Sequence, residues 1–212
     1  MKTTQLLICT VATTAAFAAL KAQGQNLTAT LTGIDPVLTV KGTFDNGSFI
    51  QNYPSGVLKF TDVTNTATSD AFCVETVQDI GYPETLVYQI QSPSSLANYD
   101  TIARLVGGYL ASTRTSQDAA AVQWAIWETV SETLKAPSLL DGNVRVITPV
   151  SQNTALLANQ YLANILNYNP ATLTYLTNQT RQDVVTWNVV PEPASAGLVA
   201  LSSLLLLRRR RA

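Results

Sequence analysis

The chain has 212 residues, of which 46% are hydrophobic and 13% are charged, and its formal net charge is −1. This length allows one domain of ordinary size, and the weak charge excludes a protein that follows a phosphate backbone, so we expect no nucleic-acid partner. The chain has no histidine, which excludes Ser-His and Cys-His nucleophile pairs and zinc sites built on imidazole, and we expect no metal and no cofactor.

Residues 1–22 have the layout of a secretory signal peptide. Lys2 precedes an apolar run from Leu6 to Leu20, and the small residue Ala22 ends the segment. Cys9 lies inside the run, so cleavage is expected to remove it. An uncleaved N-terminal anchor is the alternative for this segment.

The exported domain is expected to span residues 23–190. It carries seven basic and 13 acidic side chains, a net charge of −6, and Cys73 is its one cysteine. A single thiol is unusual in a secreted domain, because oxidising compartments attack idle thiols. Cys73 is therefore either buried and inert, or its sulfur is engaged in a bond.

Strand patterns come first in this domain. Alternating and β-branched residues, bounded by turn residues, predict strands at 37–41, 48–53, 56–63, 71–77 and 86–91. Asp45-Asn46-Gly47 is a hairpin turn signal between the first two. In the fourth strand, alternation places Cys73 and Glu75 on one face and Phe72 and Val74 on the other.

Helical periodicity follows, at 94–112, 116–134 and 150–168. Thr115 or Ser116 can cap the second of these helices, and Asp118 suits its first turn. The apolar stripe of that helix consists of Ala119, Val122, Ile126, Trp127, Val130 and Leu134. Gln123 falls inside this stripe, which aims a carboxamide into the core.

A last strand is predicted at 184–190, so the fold class is α+β. We expect an antiparallel β-sandwich or barrel that carries an inserted helical block and is closed by the C-terminal strand.

Residues 191–212 consist of three parts in a fixed order. Pro191, Glu192 and Pro193 come first, 14 apolar or small residues follow, and Arg208 to Arg211 end the segment. As a helix the apolar part would span about 21 Å, short for a bilayer core of about 30 Å, and the arginines favour the cytoplasmic side. This end resembles the PEP-CTERM sorting signal of Gram-negative bacteria.

The sorting resemblance implies an exosortase-type enzyme as a partner. It also implies transient membrane insertion through the C-terminal helix, with the domain first anchored at the inner membrane and then sorted to the cell surface or extracellular matrix. A permanent C-terminal anchor is the alternative, with the same orientation.

Cys73 is a lone thiol in an exported domain, and Gln123 is a carboxamide aimed into the core. One covalent bond between them could remove both unfavourable groups. Gln123 could instead hydrogen-bond backbone groups of a neighbouring strand, and Cys73 could be a small buried hydrophobe. If the sulfur attacks the glutamine carbonyl and ammonia leaves, a thioester joins the two residues.

The segments Phe72-Cys73-Val74-Glu75 and Val122-Gln123-Trp124-Ala125-Ile126-Trp127 resemble the bacterial thioester domain of surface adhesins. The resemblance implies that Cys73 is the thioester sulfur and Gln123 the acyl donor, and that Trp127 and Ile126 shield the bond. It implies covalent attachment to an unknown surface ligand that bears amine or hydroxyl nucleophiles. Because no turnover follows, the protein is not expected to be an enzyme.

Two other classes of function remain open from the residues. A passive extracellular matrix or carbohydrate-binding PEP-CTERM protein would carry both terminal segments without a thioester. A hydrolase would need a carboxylate pair, drawn from Glu75, Asp100, Asp118, Glu128 and Glu132. Glu128 and Glu132 lie outside the apolar stripe, and a solvated helix face is expected for them.

Overall fold

The computed structural model describes residues 26–44, 49–132 and 137–187. The predicted signal peptide, the predicted hairpin turn at 45–47 and the predicted sorting tail lie outside these ranges. Among the described residues, no helix is long and apolar enough to cross a membrane.

Within the described ranges, seven antiparallel strands form one sheet. They are β1 (Asn26–Phe44), β2 (Phe49–Asp62), β3 (Thr68–Cys73), β4 (Glu84–Gln91), β5 (Arg145–Val146), β6 (Leu173–Thr177) and β7 (Val184–Trp187). Their order is β2-β3-β7-β6-β4-β1-β5, and β1 also pairs with β2. The ladder between β1 and β2 runs to Phe44 opposite Phe49.

Three helices lie between β4 and β6 in the chain. They are α1 (Tyr99–Ala111), α2 (Ser116–Ser131) and α3 (Gln152–Ala163), with 3₁₀ turns at Pro93–Ser95 and Ile165–Asn167. The prediction of an α+β fold with an antiparallel sheet is confirmed. The short strand β5 interrupts the expected helical block, and β6 was not predicted.

The prediction of separate strands at 48–53 and 56–63 was wrong, because β2 is continuous through Pro54-Ser55-Gly56. Gly56 makes this possible. A Cβ atom there would lie only 3.0 Å from the Val37 Cα and would overlap the Pro36 carbonyl oxygen. With no side chain, the strand can pass close to β1 where the β1 register shifts between Ile34 and Val37.

The helices are shorter than their periodicity predicts. The segment before α1 makes a 3₁₀ turn at Pro93–Ser95, and α1 begins only after Asn98, whose φ is 58°. α3 ends at Ala163, where the chain again tightens into a 3₁₀ turn. A 3₁₀ turn therefore takes the place of the predicted first turn of α1, and another takes the place of the predicted last turn of α3.

Thr115 caps α2, as the sequence predicts. Its hydroxyl accepts from the Asp118 backbone N–H at 3.1 Å, and the Asp118 carboxylate accepts from the Thr115 N–H at 3.0 Å, which is a capping box. Asp118 also accepts from the Tyr161 hydroxyl at 3.1 Å. The start of α2 is thereby tied to α3.

α2 is the central helix of the fold. It packs against β1, β2 and β3 on one side and against α1 and α3 on others, and every residue from Asp118 to Thr129 is buried. The sequence predicts that one stripe of α2 is buried, whereas in the structure all faces of the helix are buried between Asp118 and Thr129. The small residues Ala119–Ala121 allow neighbouring elements to approach the helix from more than one direction.

Candidate functional site

β3 loses one of its two neighbours just before Cys73. Its ladder with β2 stops at Ala71, opposite Leu58, whereas its ladder with β7 continues to Cys73, opposite Val184. The next backbone N–H, that of Val74, donates to the Asp183 carbonyl at 2.9 Å on the β7 side. Because successive backbone groups alternate in direction, the N–H and C=O of Cys73 face the side that β2 has left.

The side chain of Gln123 fills that place. Its Oε1 accepts from the Cys73 N–H at 2.9 Å, and its Nε2 donates to the Cys73 carbonyl oxygen at 2.9 Å. Gln123 is only 1% exposed. Its carboxamide therefore pairs with Cys73 as the peptide group of a neighbouring strand would, and α2 reaches the sheet through the residue that bears the thiol.

The Cys73 thiol is free and buried. Burial, with a smaller contribution from the charge of Glu75, raises the pKa of the thiol to about 12. The sulfur is therefore protonated at neutral pH, and its proton must leave during any reaction at the sulfur.

Cys73 and Gln123 line the same pocket, whose volume is about 200 Å³. One wall is aromatic and consists of Phe44, Tyr53 and Trp127. The polar members are Gln51, Thr76, Asp79 and Gln182. Gln51 and Asp79 are exposed, so the pocket connects the buried pair to the surface.

Two tryptophans of α2 belong to the aromatic cluster beside this pocket. Trp124 stacks on Phe44 with ring centroids 5.5 Å apart, and its Nε1–H donates to the Ser55 hydroxyl at 2.9 Å. Trp127 packs edge-to-face on Phe44 at 5.3 Å and on Trp124 at 5.4 Å. It is 5% exposed, and its Nε1–H has no hydrogen-bond partner among the described residues.

The second residue expected to shield the site, Ile126, is fully buried in the core. It is not among the residues that line the pocket, whereas Trp127 is. Trp127 follows Gln123 by one helical turn, which explains why both reach the same cavity.

Glu75 follows Cys73 by two residues, just after β3 ends, and its charge acts on the thiol. Its carboxylate accepts from the Asp183 N–H at 3.3 Å, and its carbonyl accepts from the Gln182 side chain at 3.1 Å. Burial raises the pKa of Glu75; the hydrogen bond from the Asp183 backbone opposes this shift and the charge of Asp183 adds to it. The segment that follows Cys73 is thus held by the loop before β7.

The prediction that Glu128 lies on a solvated helix face was wrong. Glu128 is 1% exposed, and its Oε1 accepts from the Ser138 N–H at 2.7 Å. Ser138 thus lies against this side chain, and burial raises the pKa of Glu128 to about 7. Glu132 is half-buried, and its Oε1 accepts from the Asn143 N–H at 2.8 Å.

The carboxylates considered for a hydrolase are not gathered at this pocket. None of the five lines it. Asp118 belongs to the α2 cap, and Asp100 pairs with Arg104 at 2.8 Å. Within the described ranges, no group of three or more cysteine and acidic side chains is arranged to hold a metal ion.

Sequence reasoning missed most of the pocket wall. Phe44, Gln51 and Tyr53 share one face of the β1–β2 ribbon, because Val40 pairs with Tyr53 and Gly42 with Gln51. A hairpin turn at 45–47 would predict this register, so these residues could have been found. Asp79 and Gln182 come from separate loops, and no local pattern marks them.

Comparisons with protein-family models, with curated proteins and with solved structures each give no match to this chain.

Proposed function

We propose that this is an exported surface protein in which Cys73 and Gln123 form an internal thioester for covalent attachment to a target surface. The observation that carries the proposal is the pair of 2.9 Å hydrogen bonds between the Gln123 carboxamide and the backbone of Cys73. These bonds hold the acyl carbon beside the residue that bears the thiol, inside a pocket that both residues line.

Formation of the thioester would be a single acyl transfer. The Cys73 sulfur adds to the Gln123 Cδ, and the carbonyl oxygen becomes an oxyanion that the Cys73 N–H already contacts. The C–N bond then breaks, a C–S bond remains, and the amide nitrogen leaves as ammonia with the proton of the thiol. The two backbone contacts fix the plane of the carboxamide in advance, which lowers the entropic cost of the attack.

In the attachment to a target, the Cys73 sulfur would be the leaving group and no longer the nucleophile. An amine or hydroxyl of the target attacks the acyl carbon, the C–S bond breaks, and the target proton passes to the Cys73 sulfur. An amide or ester then links Gln123 to the target. Because the pKa of the buried thiol is raised to about 12, the released sulfur stays protonated at neutral pH. Each molecule reacts once, which makes the protein a covalent adhesin and not an enzyme.

The surroundings of the pair suit a bond that must survive in water. The aromatic wall of Phe44, Tyr53 and Trp127 restricts water at the acyl carbon, while the exposed Gln51 and Asp79 leave a way in for a target group. The net charge of −6 on residues 23–190 weakly favours cationic targets over the distance of a Debye length, about 8–10 Å.

The proposal includes a barrel-like closure of the sheet and the export route. β1 pairs with both β2 and β4, which supports closure of the strand order on itself. The PEP-CTERM resemblance of residues 191–212 supports processing by an exosortase and display at the cell surface or in the extracellular matrix.

Methylamine labelling tests whether the pair reacts as an acyl donor. We expect methylamine to add to Gln123 in the folded protein and to expose one titratable thiol at Cys73, because a thioester carbonyl is far more electrophilic than an amide. Peptide mapping by mass spectrometry locates the adduct. Cys73→Ala and Gln123→Ala serve as controls and should take up no methylamine.

An unlabelled wild-type protein would favour the passive matrix or carbohydrate-binding class. In that case the two hydrogen bonds to Cys73 simply satisfy a buried glutamine, and Gln123 is inert. An adduct on another residue would refute Gln123 as the acyl donor.

A further inference from the structure

Trp127 carries a buried hydrogen-bond donor and lines the pocket that holds the proposed reacting carbonyl of Gln123. Gln123 and Trp127 are one turn apart on α2, and both line the pocket together with Cys73. The Trp127 indole is 5% exposed, and its Nε1–H is without an acceptor in the described parts of the chain. Burying an indole N–H unpaired is unfavourable, so the position calls for an explanation.

The other tryptophan of α2, Trp124, has a hydrogen-bond acceptor for its indole N–H. Its ring is fully buried, and its Nε1–H donates to the Ser55 hydroxyl at 2.9 Å. Trp124 does not line the pocket. The unpaired donor therefore belongs to the one tryptophan of the cluster that reaches the Cys73–Gln123 pair.

The proposed chemistry turns the Gln123 carbonyl oxygen, a neutral acceptor in the resting state, into a negatively charged and much stronger one. When the thiol or a target nucleophile attacks Cδ, negative charge develops on the Gln123 Oε1. Among the described residues one donor, the Cys73 N–H, contacts this oxygen in the resting state, and an oxyanion has lone pairs for more than one. An indole N–H donates and cannot accept, so it stabilises the oxyanion without binding a competing donor.

We propose that the Trp127 Nε1–H is the second oxyanion donor of the site, and that it acts with the Cys73 N–H when the thioester forms and when a target opens it. This inference rests on the proposed function, because it assigns a catalytic residue to the same acyl transfer. The proton of the attacking group still passes to ammonia or to the Cys73 sulfur, and Trp127 keeps its own.

The test compares Trp127→Phe with Trp124→Phe in the full-length protein. Intact mass gives the fraction of thioester, and the rate of methylamine addition gives its reactivity. We expect Trp127→Phe to slow thioester formation and opening by roughly 100-fold, the usual effect of removing one oxyanion donor. The Trp127→Phe variant loses no hydrogen bond of the folded protein, because the Trp127 N–H has no partner among the described residues. Its melting temperature should therefore not fall for that reason.

Trp124→Phe is the matched control. It removes the donor to Ser55 from the same aromatic cluster, so its melting temperature should fall while its thioester opens within about two-fold of the wild-type rate. If Trp127→Phe does not fold, a tryptophan analogue with sulfur in place of the ring N–H can be placed at 127. This analogue keeps the shape of the ring and should show the same slowing.

The opposite rate change would overturn the inference. If Trp127 only shields the bond, Trp127→Phe should open faster than the wild type, and an unchanged rate would equally refute a donor role. Either result would leave the thioester in place. A wild-type protein at its unmodified mass would instead refute the proposed function itself.

Discussion

Gly42 shows how a single residue positions the aromatic wall of the site. A Cβ atom at this position would overlap the Trp124 ring and lie 2.8 Å from the Arg145 carbonyl oxygen. Trp124 in turn stacks on Phe44, which lines the pocket. Because Gly42 has no side chain, the Trp124 ring of α2 can pack against β1 and stack on Phe44.

Gly42→Ala should destabilise the protein by about 1–3 kcal/mol, as overpacking of a well-filled core does. Denaturant unfolding measures the change. Gly33→Ala is the matched control in the same strand, because its Cβ would meet nothing closer than a Tyr82 ring carbon at 4.0 Å. Equal losses for the two variants would contradict this account of the close approach.

The sequence points to Cys73 and Gln123 but does not determine how they meet. The motif spacing and the position of Gln123 in an apolar run single out both residues. That β2 leaves β3 after Ala71, so that a glutamine side chain takes the place of a strand, depends on the register of non-local strands. The unpaired N–H of Trp127 likewise appears only when the surrounding side chains are in place.

At the scale of elements, the buried side chain of Glu128 joins α2 to Ser138 by a hydrogen bond. Glu128 accepts from the Ser138 N–H, and its second oxygen is buried without a partner among the described residues. Helical periodicity cannot predict this burial, because the cover comes from a segment that is not part of the helix. Glu132 and Asp141 add negative charge near Glu128.

The raised pKa of Glu128 predicts a pH-dependent stability. Burial, opposed by the hydrogen bond from Ser138 and assisted by the charges of Glu132 and Asp141, moves its pKa from 4.5 to about 7. The folded state therefore binds this proton more tightly than the unfolded state. The resulting stabilisation is complete below pH 4.5 and is lost as the pH rises through 7, a change on the order of 3 kcal/mol.

Urea unfolding at a series of pH values measures this dependence. Glu128→Gln should flatten the curve between pH 4.5 and 7, since the amide does not titrate. Glu132→Gln keeps the buried carboxylate and should keep most of the slope. The decisive quantity is the difference between the two curves. If the free energy of unfolding of the wild type does not fall with pH more than that of Glu128→Gln, the assignment is contradicted.

At the scale of the whole molecule, the succession of strands, helices and a closing strand could be predicted, whereas the short strands β5 and β6 and the junctions between elements could not. The change from period two to helical periodicity near residue 94 correctly predicts that the first strands precede the helices. The run at 184–190 predicts the closing strand, which the structure shows at Val184–Trp187. The continuity of β2 depends on Gly56 passing Pro36, a contact between strands that no local pattern contains.

The sorting tail gives a prediction for the mature protein. If an exosortase removes it, the surface form should end near Pro193 and lack Arg208 to Arg211, because the recognised segment is cut away during sorting. Mass spectrometry of protein released from cells identifies the terminus. Peptides that contain Leu204 to Arg208 in the surface form would indicate a permanent anchor instead.

Intact mass of the purified wild-type protein tests the central claim most directly. If Cys73 and Gln123 form a thioester, the mass falls short of the sequence value by one ammonia, and Cys73→Ala and Gln123→Ala each show the full mass expected for the variant. A wild-type protein at its unmodified mass, with a Cys73 thiol that can be alkylated after denaturation, would contradict the account.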